Sequence, residues 1–380
     1  MSMSFVPFVM ERWQSRYEHE VDLNLSESGV HPLTLGELGE LLGVRTDELD
    51  QVLLEYVQSN GTPELRERIA AMYPGAGAEN VVVGNGSAEA NFVAAWDLAS
   101  SGGEFVFMEP NYFQIRGVAE NLGVPVKSWW LDSADWEPDF DALDELVTDA
   151  TTAIFVCHPN NPTGRVFGNE FVDRVVQAAE RVGAWVLADE VYRGAEHDGV
   201  ETPSFWGTYD KVVTTCGLSK AYGLPGLRIG WAVAPPEFTD RLWSRMDYTS
   251  ISPSTLSEWL ATRALEPGCR ASLLERTRRI LTSNWQVLEA WLAERSETFR
   301  WPQPQAGAIS LVEFRNDVST GALAERLRVE ESCLIQPGDQ FGLPRHLRLG
   351  IGPPAAQLQD GLERLGRVLD NPGTGDASER

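Results

Sequence analysis

Lysine is scarce in this chain: Lys127, Lys211 and Lys220 are the only three among 31 basic residues. Lys220 stands in "TTCGLSKAYGLPGLRIGWAVAPP", between a β-rich run and a loop of glycines and a proline. An amine can lose its proton in a suitable site and act as a nucleophile, which a guanidinium cannot. A lysine kept where arginine is the rule is a first hint of that chemistry. Arg228, eight residues on, can grip a phosphate by two parallel charge-assisted bonds. "ADEVY" sets Asp189 and Glu190 at the end of an apolar run, where a buried carboxylate must be paired or hydrogen-bonded. Asp189 is then either the partner of a protonated ring nitrogen or part of a solvated turn. "GNGSAEA" puts Gly86, Ser87 and Ala88 at a strand-to-helix turn. That turn is either a phosphate cradle at the positive end of a helix or a tight turn and nothing more. It lacks the Gly-Lys-Ser/Thr ending of a P-loop. A phosphate site, a carboxylate for a ring nitrogen and a lysine able to form a Schiff base together specify pyridoxal phosphate.

Such residues need elements that bring them together. From about residue 64 onward, helical and strand patterns alternate. "ELRERIAAMY", "AEANFVAAWDLA" and "NEFVDRVVQAAERVG" read as helices; "NVVVGNGS", "GGEFVFMEP", "TTAIFVC", "AWVLADE", "KVVTTCGLS" and "RIGWAVAPP" read as strands. Continuous Val/Ile/Phe/Ala runs bounded by turn residues mark strands covered on both faces. Strands separated by helices imply a mostly parallel sheet with right-handed crossovers. Ligand groups gather at the carboxyl edge of such a sheet. "GNGS", "EPNYF", "HPNNPTG", "DEVYR" and "GLSK" each follow an apolar run, so one edge should receive all five. Further on, "DRLWSRMDYTSISPSTLSEWLATRAL" and "RASLLERTRRILTSNWQVLEAWLAER" read as long amphipathic helices, followed by an α+β segment. The expected division is a large cofactor-binding domain over 46–285, a smaller discontinuous α+β domain over 1–45 and 286–370, and a disordered tail over 371–380.

At 380 residues, 43% of them apolar, the chain can bury a full-sized core. A net charge of −25 argues against nucleic acid or an anionic membrane as partner. No apolar stretch approaches the roughly 20 residues of a membrane span. "MSMSFVPFVMERW" is too short for a signal peptide, so a cytoplasmic location is expected. Cys157, Cys216, Cys269 and Cys333 are far apart, and neither CxxC nor HExxH occurs. Neither a disulfide framework nor a metal site is suggested.

On "NNPTG", "ADEVY" and "GLSKAYGLPGLRIGW", the chain resembles the fold-type I, class I/II aminotransferases, and the resemblance runs from "SGVHP" to "HLRLGIG". It implies an enzyme that moves the α-amino group of an amino acid to a 2-oxo acid on pyridoxal phosphate, built as a homodimer with shared active sites. Lys220 would hold the cofactor and then shuttle the proton at the substrate's Cα, its pKa lowered by a desolvated, cation-crowded pocket. Asp189 would keep the ring nitrogen protonated. Asn161 and Tyr192 would hydrogen-bond the ring's phenolic oxygen, and Tyr112 would stack on the ring face. Gly86, Ser87 and Ala88 would cradle the phosphate with Arg228, joined by Tyr56 of the neighbouring subunit. Arg348 would clamp the substrate's α-carboxylate beside Asn161, and Gly29 lies in a segment that closes over substrate. One departure is Gly217, where many members carry a phosphate-binding serine.

"SESGVHPLTLGELGEL" and "LSKAYGLPGLRIGW" carry a narrower resemblance, to a subgroup similar to capreomycidine synthase. It implies an alternative activity, a cyclase or oxidase acting on arginine or hydroxyarginine. Glu27 would pair with a cationic side chain and His31 act near it, or both only order the closing segment. The ordinary form of "NNPTG" and "DEVY" favours transamination. A non-enzyme, effector-binding reading needs a basic DNA-binding domain in front. The roughly 45 residues ahead of the first fold element are acidic, which disfavours it.

Overall fold

A computed structural model describes residues 5–371. The tail expected over 371–380 lies outside the described residues apart from Asn371. Thirteen strands are present among them: β1 (Leu23–Asn24), β2 (Val81–Asn85), β3 (Glu104–Glu109), β4 (Val126–Trp130), β5 (Thr151–Cys157), β6 (Trp185–Asp189), β7 (Val212–Gly217), β8 (Ile229–Val233), β9 (Phe299–Arg300), β10 (Ile309–Phe314), β11 (Cys333–Leu334), β12 (Gln336–Pro337) and β13 (His346–Gly350). Seven of them form one sheet in the order β2-β8-β7-β6-β5-β3-β4. Only β8 runs against its neighbours; the other pairings are parallel.

Period two sorts the side chains of these strands. Val106, Met108, Ile154, Val156, Val186 and Ala188 pack on one face with Phe171, Val175 and Ala179 of the helix Asn169–Val182. Phe105, Phe107, Ala153, Phe155 and Leu187 pack on the other with Val93, Ala94 and Leu98 of the helix Ser87–Ala99. Each such buried aliphatic or aromatic side chain contributes about 1.5–3 kcal/mol by leaving water. Asp97, 3% exposed, takes Arg241 and Arg245 as partners and pins the helix Pro236–Met246 to Ser87–Ala99.

The order β12-β13-β10-β9 makes a second, antiparallel sheet. The 27-residue helix Pro267–Ala293 gives Leu281, Leu288 and Leu292 to a core that also holds Val81 and Trp231 of the first sheet and Val312 and Leu347 of the second. Leu23 and Asn24 pair in parallel with Cys333 and Leu334, tying the N-terminal segment to this second sheet's neighbourhood.

One reading of the pattern is corrected. The stretch 240–265 is not a single helix but Pro236–Met246 and Thr255–Ala264. Ile251 between them takes a φ of 68°, and Pro253 disfavours a helical conformation for Ser252, so local sterics override the amphipathic period. No described helix is long and apolar enough to cross a membrane.

Candidate functional site

Since β2, β3, β5, β6 and β7 all point the same way, the five polar clusters emerge at one edge of the sheet. Pairing sets Cys157, Asp189 and Thr215 side by side at the ends of β5, β6 and β7. Around them lies a cavity of about 270 Å³, and Lys220, Asp189, Tyr192, Asn161, Arg228 and Arg348 all reach its wall. Ser87, Ala88, Tyr112 and Glu27 reach it too.

Asp189 is 8% exposed and is met by neutral donors only: Asn91 Nδ2 at 2.8 Å and the Val191 N–H at 3.0 Å. Burial raises its pKa, so a cation against it would be stabilised. Tyr192 is buried, and its hydroxyl makes no close hydrogen bond, only a looser approach to the Ser28 side chain. Arg348, 1% exposed, donates to Asn161 Oδ1 at 3.1 Å and the Ser26 carbonyl at 2.6 Å, while its Nε is unpartnered. A buried guanidinium without a carboxylate in contact is a site waiting for an anion. Tyr112 hydrogen-bonds Glu11, and burial pushes its phenol well up, so the ring stays neutral.

The helix Ser87–Ala99 starts directly after Gly86, whose φ of 79° belongs to the left-handed region that favours glycine. A Cβ there would collide with the Arg228 guanidinium, so the bare backbone lets that group lie against the helix start. Arg228 meets neutral acceptors only, among them Ser219 Oγ at 3.5 Å and the Pro225 carbonyl at 3.2 Å. Gly217 has its own reason. A Cβ on it would sit 3.0 Å from the Ile229 carbonyl and 3.4 Å from the Ser87 nitrogen, where the strand and the helix start approach closely.

Lys220 Nζ stands 2.6 Å from Glu27 Oε1. Burial favours the neutral amine, but the Glu27 carboxylate outweighs it and the lysine's pKa is raised. This overturns the expected lowering, because a carboxylate faces the lysine as well as cations. Burial likewise opposes ionisation of Glu27, yet Lys220 and the Ser28 N–H hold it down at about 2.

Three expected residues lie elsewhere. Gly29 sits behind the lysine, a Cβ on it falling 3.5 Å from Lys220 Cδ. His31 is not on the cavity wall: its Nδ1 lies 2.9 Å from the Gly352 carbonyl and its own carbonyl accepts from Arg276, so it ties down the backbone. Tyr56 is 84% exposed in a separate surface groove with Asn85 and Leu256. His158 is buried and stacked on Phe171, and burial holds it neutral with a pKa of about 3.

Other wall residues escaped the sequence reading. Asn91 lies one helical turn beyond Ser87, and its polarity within an apolar helix was the available signal. Glu11, Gln14 and Glu18 come from the helix Val9–Tyr17 or just past it, with no motif to mark them. Burial raises the carboxyl of Glu18, and the nearby Glu27 and Glu11 add to that.

Residues 42–365 match the family described as aminotransferase class I and II. The chain is 31% identical to capreomycidine synthase of Streptomyces vinaceus, over 95% of this chain and 93% of that one. Among solved structures, a PLP-dependent aminotransferase from Streptococcus suis superposes with a TM-score of 0.91 at 30% identity, covering 98% of this chain and all of the other. The PLP-dependent cyclase OrfR superposes at 0.88 and 29%, covering 98% and 99%.

Proposed function

From the premise that the chain belongs to the class I and II aminotransferases, enzymes of pyridoxal phosphate, we propose that it moves the α-amino group of an amino acid to a 2-oxo acid. The observation that carries this is the convergence of Lys220, Asp189, Tyr192, Asn161, Arg228 and Arg348 on one cavity. Bound there, the cofactor supplies an electron sink for bonds at the substrate's Cα. The residues fit that group. Asp189 holds a proton at the ring nitrogen, the role its neutral partners leave open. The Tyr192 hydroxyl, which makes no close hydrogen bond, and Asn161 hold the phenolic oxygen, and Tyr112 covers the ring. Arg228 and the helix start at Gly86, Ser87 and Ala88 hold the phosphate. Arg348 orients the substrate through its α-carboxylate, and the Lys220 amine carries the proton at Cα. Tyr56 completes the phosphate site of a second copy in a homodimer, a reading supported by its exposure beside Leu53 and Leu54, 70% and 85% exposed.

Glu11, Glu18 and Glu27 on the same wall favour a second reading. With Lys220 engaged by the cofactor, Glu27 would be free to join Glu11 and Glu18 as an acidic group for a substrate side chain. That wall suits an amino acid with a cationic side chain. With capreomycidine synthase and OrfR among the similar proteins, it supports cyclisation or oxidation of arginine or hydroxyarginine. The test is turnover of the PLP-loaded protein with a panel of amino acids including both, with and without oxygen, products identified by mass. Release of a 2-oxo acid that requires an amino acceptor establishes transamination. A cyclised or oxidised product without an acceptor establishes the second reading.

A further inference from the structure

Two segments place Asp189 and Lys220: the end of β6 with the loop Glu190–Arg193, and the loop Leu218–Tyr222 after β7. Each also holds a side chain absent from the cavity wall, Arg193 and Tyr222. Tyr222, two residues past Lys220 and 2% exposed, accepts the Nε–H of Arg270 at 3.1 Å. Arg270 stands near the start of the helix Pro267–Ala293 and turns its other two nitrogens to both oxygens of Glu201, at 2.8 and 2.9 Å. Arg193 comes to the same carboxylate from the other loop. Its Nη2 is 3.7 Å from Glu201 Oε2, and its Nε donates to the carbonyl of Thr202 at 3.1 Å.

We infer that Glu201 is a positioning residue that sets the separation of these two loops, and so the placement of Lys220 relative to Asp189 and Tyr192. The inference rests on Lys220 being the cofactor's lysine. One carboxylate serves two guanidinium groups whose side chains are only 15% and 20% exposed. A forked, partly buried pair is directional and stronger than a surface ion pair. Without the anion, Arg193 and Arg270 repel each other and Arg270 loses the fork that aims its Nε at Tyr222. The strain falls on the two segments that must stay in register. Misplacement by about 1 Å costs about a hundredfold in reactions that depend on alignment.

The test uses the PLP-loaded full chain as wild type, E201Q, Y222F and K220A. The readouts are the pH midpoint of the bound cofactor's visible absorbance, the rate at which the apo protein captures pyridoxal phosphate, and Tm. The expected result is a midpoint moved by about half a pH unit or more in both E201Q and Y222F. Capture should slow by about tenfold. Wild-type midpoint and capture rate in both variants, with Tm alone lowered, overturn the inference. Should E201Q not fold, Y222F decides by the same criteria, since it leaves the Glu201–Arg270 fork intact. A transition that survives in K220A overturns the site assignment and this inference with it. A transition lost in K220A, with unmoved midpoints in E201Q and Y222F, overturns this inference alone.

Discussion

At the scale of single residues, charge without a matching partner distinguishes this site. Asp189 meets only neutral donors and Arg348 keeps a bare Nε, whereas Lys220 is matched by Glu27. K220A should abolish covalent capture of pyridoxal phosphate, read by mass after borohydride reduction. D189N should keep the fold and capture the cofactor, yet lower turnover by about a thousandfold or more, because no carboxylate remains to hold the ring proton. Glu190, next along the chain, gives a pH prediction. Burial pushes it up to about 7, its Oε1 accepting from Ser204 and the Phe205 N–H while Oε2 has no partner. A carboxyl raised in the folded state contributes stability fully below its ordinary range, and that contribution is lost as pH climbs towards 7. From pH 4.5 to 8 the cofactor-free protein should lose about 3 kcal/mol from this group, at about 1.4 kcal/mol per pKa unit. Urea midpoints for wild type and E190Q check it: the glutamine variant should show a flatter pH profile, and parallel profiles would refute the assignment.

Elements decide where these groups can stand. A parallel sheet gathers strand ends, and a helix beginning immediately after β2 offers free N–H groups at the same edge. Gly86 makes the turn possible, and a Cβ there would collide with Arg228. Gly86→Ala should therefore retain the fold and weaken cofactor retention about tenfold to a hundredfold, measured by equilibrium dialysis. Unchanged retention would mean that Arg228 does not hold the phosphate. The glycine at 217 is explained by packing against Ser87 and Ile229. Gly217→Ser should destabilise by about 1 kcal/mol instead of adding a useful ligand, a comparison that chemical denaturation settles.

For the whole molecule, Tyr56, Leu53 and Leu54 leave an aromatic and apolar face, Tyr56 and Leu54 sharing a groove with Asn85 at the end of β2. Leu54→Asp should shift the protein towards monomer at micromolar concentration and release the cofactor, both followed by sedimentation with absorbance detection. A monomeric wild type that retains cofactor would remove Tyr56 from the site. The sequence alone determined the fold class and the cofactor, and it singled out Lys220, Asp189, Tyr192, Asn161 and Arg228, which the fold brings to one cavity. Local chemistry marks such residues: apolar runs of strand length, a rare lysine, a carboxylate at a strand end and short blocks of recognisable order. What only tertiary structure decided depends on distance across the chain. Glu11 and Glu18 reach the cavity from a helix with no motif, and Glu27 raises the pKa of a lysine 193 residues away. His31 is drawn off to Gly352, and Glu201 joins two loops through Arg270. Such contacts are set by packing between segments remote in sequence, and electrostatics falls off with distance in space, not with separation along the chain.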